Sequence, residues 1–443
     1  MRILFDMGVY DLRNKGNVAL LQVAVARVSA LWRDASLQVI TSAPHLLRLY
    51  CPHASPISPN QQFDWSQRVG RVDRILRRLP RSLLRVALEV RDGIWHHIPA
   101  LGALLTRHKA RVPASPTLVI FEQKNVTAEK NRAYVEMVNG MDLLIATGAQ
   151  YMSDACCDDA LRVLDRLEAA YRLNIPTAMV GQGLGPFQDA ELRARVQTVL
   201  PLVDLIFIRD QIAAPPLLAS LGVDPARVFF TGDDAVEMTW RARTQTRGNL
   251  IGLNLRVAQY TQVTSASNET IRSVLRAATR QHHTHLLAIP ISHSIHELDA
   301  RAIQKLGAGI KMEPAYVSQF ETPLDIINKV GRCRVVVTGA FHPAVFALAQ
   351  GIPAIGLVKS PMYIGKFAGL IDQFGAGCQV VHLDDADLPA KLADAIETAW
   401  NATDHLRAQL LERAEHQIEL GHCAYQRIFD LVAARQKARA NDG

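Results

Sequence analysis

Short apolar runs rich in β-branched residues alternate along the first half of the chain with longer stretches that have helical spacing. Runs of this kind are typical of strands that are covered on both faces of a parallel sheet. The predicted strands are Arg2–Met7, Leu37–Thr41, Pro116–Phe121, Asp142–Thr147, Pro176–Gln182 and Asp204–Arg209. The predicted helices include Val18–Trp32, Asp154–Arg172 and Glu191–Leu200.

The second half repeats this order after a polar stretch, Arg241–Asn249, that is typical of a linker. Its predicted strands are Leu250–Leu255, His285–Ile291, Arg334–Thr338, Ala354–Leu357 and Gln379–Leu383. Its predicted helices are Glu269–Gln281, Glu297–Leu306, Pro323–Val330 and Ala386–Trp400. A last helical pattern runs from about Asp404 to Arg435, and we expect it to pack back across the first domain.

The alternation of strands and helices predicts an α/β protein with two Rossmann-like domains that face each other across a cleft. A chain of 443 residues is also too long for one ordinary hydrophobic core. We expect an N-terminal domain over residues 1–240, a C-terminal domain over 250–402 and a long C-terminal helix over 403–443. A basic helical insertion at about residues 60–115 interrupts the first domain.

Charge is unevenly distributed, because one segment, Ser66–Arg111, has eleven basic and three acidic residues in a chain of net charge +7. Its arginines, among them Arg68, Arg71 and Arg85, alternate with apolar residues. This basic amphipathic pattern suits an anionic membrane surface or an anionic acceptor, and it equally suits a solvated helical face. Nucleic acid is not expected as a partner, because the segment has no aromatic platform and no known binding motif.

Composition is typical of a globular protein, with 49% hydrophobic and 21% charged residues and no apolar run of membrane-spanning length. The residues Arg2–Asp6 indicate a first strand and not a signal peptide. The six cysteines have no metal-ligand spacing, so we expect reduced thiols, no metal site and a cytoplasmic location. Membrane binding through residues 66–111 would make the protein peripheral at the inner face of the membrane.

The richest candidate chemistry lies where the strand Arg334–Val337 passes into an apolar helix. His342 stands at that turn, and Pro343 suits the first helical turn. A helix N-terminus offers free N–H groups to a phosphate or carboxylate, and an imidazole there can donate a proton. The alternative is a histidine that only caps the helix.

Three candidate turns follow strands of the first half, and one of them is Thr147-Gly148-Ala149-Gln150 after the fourth strand. Asn14, Lys15 and Asn17 surround Gly16 where the first helix opens, and we predict that these polar side chains bind substrate. Gln182 and Gly183 lie in the turn Gly181–Pro186, which does not match the dinucleotide motif. Glycines there permit close approach of a ligand to the backbone, although such turns are more often structural.

Charged residues end other strands. Arg209 and Arg256 suit anion recognition, although Arg209 followed by Asp210 is also typical of an ion pair that anchors a helix. Asp233 and Asp234 have no evident third metal ligand, which favours hydrogen bonding within a turn. We also predict substrate contacts for two other basic residues, His293, which with His296 matches no standard zinc site, and Lys366, at the start of a helix.

Together these segments resemble the polysaccharide pyruvyl transferase family, over about Met1 to Gly375 except the basic insertion. The matching segments are Asn14-Lys15-Gly16-Asn17, Gly181–Pro186, Ile208-Arg209-Asp210, Leu221-Gly222-Val223, Thr231-Gly232-Asp233, Ile251–Arg256, Pro290–Asp299 and His342–Pro353. The resemblance implies an architecture similar to that of GT-B glycosyltransferases. It also implies transfer of a pyruvyl group from phosphoenolpyruvate to a sugar, which gives a ketal.

The resemblance suggests a role for each candidate residue. His342 would be the proton donor or a phosphate ligand, and Arg209 and Arg256 would clamp the anionic donor, for which the C-terminal domain is the expected side. Asn17 and Gln182 would meet the acceptor on the N-terminal side. No metal or cofactor is required by this scheme beyond the donor substrate.

One departure from the family pattern changes the expectation. The family commonly has Arg two residues before the key histidine, and this chain has Ala340 there. Arg209, Arg256 or Lys366 would have to compensate. Two alternatives stay open: a glycosyltransferase that uses a nucleotide sugar, and a non-catalytic relative in a glycan pathway. The expected acceptor is a sugar that can be lipid-linked, and the sequence is compatible with a monomer or an oligomer.

Overall fold

A computed structural model describes residues 1–59, 76, 79–80, 83–90, 132–256, 265–293, 299–314 and 317–441. The predicted strand Pro116–Phe121 and most of the basic segment Ser66–Arg111 lie outside these residues, as does His296. No helix in the described ranges combines the length and the apolarity that crossing a bilayer requires.

Parallel strands form the N-terminal sheet, which has eight strands in the described part of the chain. Their order is β3-β2-β1-β4-β6-β7-β8, and β5 pairs with β6 beyond the end of β4. The strands are β1 (Arg2–Asp6), β2 (Ser36–Ile40), β3 (Ala54–Ile57), β4 (Leu143–Ala146), β5 (Ala149–Met152), β6 (Thr177–Leu184), β7 (Leu205–Ile208) and β8 (Val228–Phe230). The central strands β4 and β6 are buried along their whole length, which explains their continuous apolar runs.

Helices cover this sheet: α1 (Lys15–Leu31), α2 (Pro44–Tyr50), α3 (Cys157–Arg172), α4 (Ala190–Val199), α5 (Ala214–Ser220) and α6 (Ala235–Arg241). Helical residues 83–90 and 132–138 also belong to this half. The side chain of Asn14 caps α1, because its Oδ1 accepts hydrogen bonds from Gly16 N at 3.0 Å and Asn17 N at 3.3 Å.

The second domain has a parallel sheet with the order β10-β9-β11-β12-β13. Its strands are β9 (Leu250–Asn254), β10 (Leu286–Ala288), β11 (Cys333–Thr338), β12 (Ala354–Val358) and β13 (Cys378–His382). Its helices are α7 (Ser265–Gln281), α8 (Asp299–Leu306), α9 (Pro323–Val330), α10 (Phe341–Leu348), α11 (Pro361–Phe374) and α12 (Leu388–Trp400). The prediction of two Rossmann-like α/β domains is confirmed.

The last helix, α13 (Asp404–Asn441), returns to the first domain as expected. Tyr425, Ile428 and Val432 on it belong to the same buried cluster as β1 and β2. The hydroxyl of Tyr425 donates to Asp234 at 3.2 Å, and Arg435 pairs with Asp204 at 2.8 Å. The helix therefore ties the end of the chain to the N-terminal sheet.

Some boundaries differ from the prediction. The Gly181–Pro186 segment does not simply follow a strand, because β6 extends through Gln182 and Gly183 to Leu184. Strands β3 and β5 and helix α2 were not predicted. Each has only four to seven residues, which is too short for a recognisable hydrophobic period. Lys366 was predicted to begin a helix, but α11 already begins at Pro361.

The cleft forms where the carboxyl ends of the two sheets meet. Lys15 N donates to Ile291 O at 2.9 Å across the cleft, and His293 N donates to Arg13 O at 3.2 Å. Helix α10 is buried at every residue because it packs against elements of both domains. Loops from both sheets therefore enclose a common space, as expected at the carboxyl ends of parallel strands.

Candidate active site

A cavity of about 310 Å³ lies between the two domains. Six of the predicted site residues line it: Asn14, Asn17, Arg209, Arg256, His342 and Lys366. Gln150, Ser292 and Tyr363 also line it. Residues that are up to 352 positions apart in the chain thus meet at one place, and the charged ones come from different strands and helices.

His342 lies in the first turn of α10, as predicted, and its side chain is only 9% exposed. A Cβ atom on Gly16 would come within 2.0 Å of His342 Nδ1, so only glycine lets α1 approach the imidazole this closely. Its Nε2 atom has no hydrogen-bond partner among the described residues. Burial, with the positive charges of Arg209, Arg256 and Lys366, holds the pKa of His342 well below its usual range. The imidazole is therefore neutral at pH 7 in the unliganded protein.

Arg209 follows β7 and reaches the floor of the cavity. Its guanidinium donates to Gln150 Oε1 at 2.6 Å and lies over the ring of Phe341, 4.2 Å from the ring centroid. A Cβ atom on Gly183 would come within 2.6 Å of the same guanidinium, so this glycine makes room for Arg209. Burial lowers the pKa of Arg209, yet a guanidinium stays protonated at pH 7.

Arg256 follows β9 and is held by Asp299 at the start of α8. Its Nε and NH2 atoms lie 3.2 and 3.3 Å from the two carboxylate oxygens. Asp299 also accepts hydrogen bonds from Asn254 Nδ2 and from the backbone N–H groups of Ile291 and Ser292. One buried carboxylate thus fixes both the arginine and the loop that closes the cavity.

Lys366 occupies the second turn of α11, and its Nζ lies 4.8 Å from the centroid of the Tyr363 ring. Although Lys366 does not begin the helix as predicted, its side chain still lines the cavity. Three cationic side chains from three elements therefore surround His342 within the part of the chain that the structure describes. The N-terminus of α10 adds its backbone N–H groups to this positive region.

Four of the predicted site residues lie beside the cavity without lining it: Lys15, Gln182, Gly183 and His293. Lys15 is fully buried and donates from Nζ to Tyr50 Oη at 2.6 Å and to Gln319 O at 2.7 Å. Burial lowers its pKa to about 7. The amide of Gln182 donates to Ala146 O and Thr147 O, which braces the loop after β4.

His293 lies at the contact between the domains and is 6% exposed. Burial, with nearby Lys15, lowers its pKa to about 4. No group of three His, Cys, Asp or Glu side chains that could hold a metal ion occurs in the described ranges. The surroundings of His293 therefore resemble a domain contact more than a ligand site.

Ala340 is the N-cap residue of α10 and also lines the cavity. It has no side chain that can cap the helix, and its backbone N–H is taken by Thr338 Oγ1 at 2.9 Å. The position that commonly carries arginine in the family thus faces the same space as Arg209 and Arg256.

Asp233 was predicted to take part in turn hydrogen bonds, and it does accept one from Ala235 N at 3.0 Å. Its other oxygen, however, lies 3.5 Å from Arg209 NH1 and 3.8 Å from His342 Nε2. Gln150 belongs to the candidate turn Thr147–Gln150, but neither it nor Tyr363 was singled out as a site residue. Gln150 stands in a strand that was not predicted, and Tyr363 in a helix whose start was predicted too late. The sequence therefore could not show that their side chains point into the cavity.

Comparison with solved structures confirms the fold. A putative UDP-N-acetylglucosamine 2-epimerase from Listeria monocytogenes has a TM-score of 0.55 at 12% identity, with 100% of this chain and 97% of the other covered. UDP-GlcNAc 2-epimerase from Neisseria meningitidis, bound to UDP-GlcNAc, has a TM-score of 0.51 at 10% identity, with 99% and 100% covered. A Glycyrrhiza uralensis protein complexed with glycyrrhetinic acid 3-O-monoglucuronide has a TM-score of 0.56 at 9% identity, with 100% and 97% covered.

These similarities show a fold shared with GT-B glycosyltransferases and epimerases, and at this identity they show the fold alone. A family model provides the closer relationship. The model described as polysaccharide pyruvyl transferase matches residues 14–360, which include every predicted site residue except Lys366. The chain therefore belongs to the polysaccharide pyruvyl transferase family and is a transferase.

Proposed function

We propose that the protein transfers a pyruvyl group from phosphoenolpyruvate to a sugar of a glycan or glycolipid precursor and forms a ketal. The observation that carries this proposal is the set of cationic side chains around His342, a buried imidazole that is neutral at rest. Phosphoenolpyruvate has a carboxylate and a phosphate, and planar guanidinium groups such as those of Arg209 and Arg256 match both. Lys366 and the N-terminus of α10 supply further positive potential.

The reaction begins with proton transfer to the methylene carbon of the donor, which makes C2 electrophilic. His342 provides this proton. One sugar hydroxyl then forms a bond to C2, the bond between C2 and the phosphate oxygen breaks, and a second hydroxyl closes the ketal. Of the two hydroxyl hydrogens, one balances the proton gained by the new methyl group and the other leaves with phosphate, so no oxidant or reductant is needed.

Charge neutralisation explains how a neutral imidazole becomes an acid. Burial and, after it, the charges of Arg209, Arg256 and Lys366 keep His342 deprotonated in the absence of a bound anion. An anionic donor that binds between them offsets their field, and the pKa of His342 then rises toward its ordinary value. The proton is thus acquired when the donor binds, which couples protonation of the acid to occupancy of the site.

The N-terminal wall suits the acceptor. Asn14 and Asn17 line this wall with amide side chains, and Asp11 and Gln150 line it as well. An amide can donate to a sugar hydroxyl or accept from it, whereas a carboxylate accepts from it. Gln182 supports this wall from behind, through its hydrogen bonds to the loop after β4.

A nucleotide-sugar glycosyltransferase is the second candidate, because the chain shares its fold with a protein solved with UDP-GlcNAc. Ala340 motivates a third, a non-catalytic relative. Calorimetric titration with phosphoenolpyruvate, and separately with UDP and GDP, discriminates among them. We expect phosphoenolpyruvate to bind and His342→Ala to weaken it. Tight binding of a nucleotide alone would favour the glycosyltransferase, and binding without turnover on any sugar would favour the non-catalytic relative.

The site of action is proposed to be the cytoplasmic face of a membrane, with a lipid-linked acceptor. Support comes from the charge of Ser66–Arg111 and from Leu83, Val86 and Val90, which recur on helical residues 83–90 and are 53%, 54% and 57% exposed. Cosedimentation with anionic and neutral vesicles tests this, with the triple serine variant at these three positions as control. Equal binding by the variant and the wild type would exclude a role for this helix.

A further inference from the structure

Asp233 is a buried carboxylate beside His342 that the scheme above does not use. It lies in the loop between β8 and α6, and its side chain is 1% exposed. Its Oδ1 is taken by Ala235 N at 3.0 Å. Its Oδ2 faces Arg209 NH1 at 3.5 Å and His342 Nε2 at 3.8 Å, and both distances are longer than a normal hydrogen bond.

The imidazole of His342 has two distinct edges. Nε2 points to Asp233 and has no hydrogen-bond partner among the described residues. Nδ1 is the nitrogen next to Gly16 at the N-terminus of α1, and the cavity residues Asn14 and Asn17 are close to this glycine in the chain. A group that holds Nε2–H would therefore leave Nδ1 as the nitrogen that faces the reacting molecules.

We propose that Asp233 is the positioning residue for His342: it accepts the Nε2–H hydrogen bond and leaves the Nδ1 proton facing the cavity in which the donor binds. This inference rests on the proposed function, because the imidazole becomes protonated only when an anionic donor offsets Arg209, Arg256 and Lys366. The distance between His342 Nε2 and Asp233 Oδ2 then shortens by about 1 Å to reach normal hydrogen-bond geometry. A carboxylate that orients and stabilises an imidazolium is a recurring arrangement in acid–base catalysis.

The surroundings of Asp233 are compatible with a further positive charge beside it. Burial raises the pKa of Asp233 to about 6, against the opposing effects of Arg209 and of the N–H of Ala235, and Asp234 adds a negative charge. The carboxylate is thus ionised at pH 7.5. Its negative charge is only partly neutralised, because Arg209 lies 3.5 Å away and also donates a hydrogen bond to Gln150. An imidazolium at Nε2 supplies the missing charge, so protonation of His342 and ionisation of Asp233 stabilise each other.

The test compares Asp233→Asn with Asp234→Asn. Asp234 is the adjacent buried carboxylate, but it faces Arg27 and Tyr425, away from the cavity. The pKa of His342 is measured by NMR of labelled histidine, with and without phosphoenolpyruvate, and kcat is measured against pH. For Asp233→Asn we expect a His342 pKa at least one unit below wild type in both states. The pH profile of kcat should shift to lower pH, and kcat should be about 100-fold lower. The Kd for the donor should stay within tenfold of wild type, because Arg209 retains its contacts with Gln150 and Phe341.

Asp234→Asn should lower thermal stability but leave both the His342 pKa and the pH profile as in wild type. An Asp233→Asn protein with an unchanged His342 pKa and profile would overturn the proposal. Should Asp233→Asn not fold, Asp233→Ser predicts the same shifts. If wild type does not bind phosphoenolpyruvate, the proposed function fails, while titration of the free protein still shows whether Asp233 raises the pKa of His342.

Discussion

Two groups of basic residues lie side by side between the domains, and they differ in whether they face a cavity. In the domain contact, Lys15 donates to Tyr50 and Gln319, and Lys329 pairs with the buried Glu321. In the cavity, Arg209, Arg256 and Lys366 line open space around His342. Asp299 stands between the groups, since it binds Arg256 and also acts on His293.

The difference shows why burial of a basic group does not identify a site. Both His293 and His342 have lowered pKa values, and both imidazoles are buried. Only His342 faces a cavity large enough for a small anion. A perturbed pKa indicates function when it coincides with accessible volume and convergent charge, and otherwise it indicates packing.

The largest expected effect separates the two histidines. His342→Gln should lower the rate of pyruvyl transfer by about 100- to 10,000-fold, because it removes the proton donor. His293→Gln should lower it by less than tenfold, since this imidazole does not line the cavity. The rate is measured as phosphate release from phosphoenolpyruvate in the presence of acceptor. A comparable loss in both variants would remove the distinction.

The two lysines give a matched pair for binding. Lys366→Met should weaken phosphoenolpyruvate by about tenfold, which corresponds to about 1.4 kcal/mol for one half-buried charge. Lys15→Met should leave the affinity within threefold but lower the melting temperature, because Tyr50 and Gln319 lose a buried donor. Calorimetry and thermal unfolding measure the two effects, and weakened binding in Lys15→Met would show that the domain contact is part of the site.

Ala340 allows the cationic character of the cavity to be increased. Ala340→Arg should tighten phosphoenolpyruvate about threefold to tenfold, because a guanidinium at the N-cap of α10 would face the anion. Ala340→Met adds comparable bulk without charge and should not tighten binding. Equal effects of both substitutions on affinity would mean that the donor does not approach this helix end.

Much of this architecture was predictable because its signals are local. Continuous apolar runs revealed β1, β4, β6 and β7, which are buried on both faces, and the strand-to-helix turn at His342 followed from Pro343 and the apolar residues after it. The carboxyl ends of parallel strands meet at one edge, so the convergence of Arg209, Arg256 and His342 followed from their positions after strands.

Orientation was not predictable, because it depends on contacts between distant segments. Lys15 and Asn17 are two residues apart on α1 and therefore point to different sides, one to the domain contact and the other to the cavity. Asp233 reads as an ordinary turn residue until the second domain brings His342 to within 3.8 Å of it. The direction in which such a side chain points is decided by tertiary packing, and no periodic pattern in the sequence reveals it.

The smallest expected effect concerns pH and stability. The pKa of His293 is about 4 in the folded protein and near 6.5 when unfolded, so the unfolded state binds the extra proton first as pH falls. The free energy of unfolding should therefore decrease below pH 6.5, by at most about 1.4 kcal/mol per pH unit for this group. Asp233, whose pKa is raised to about 6, opposes this trend, because the folded state holds its proton more tightly between pH 6 and 4. His293→Gln should flatten the decline between pH 6.5 and 5 in urea unfolding, whereas an unchanged slope would mean that this imidazole is already solvated in the folded protein.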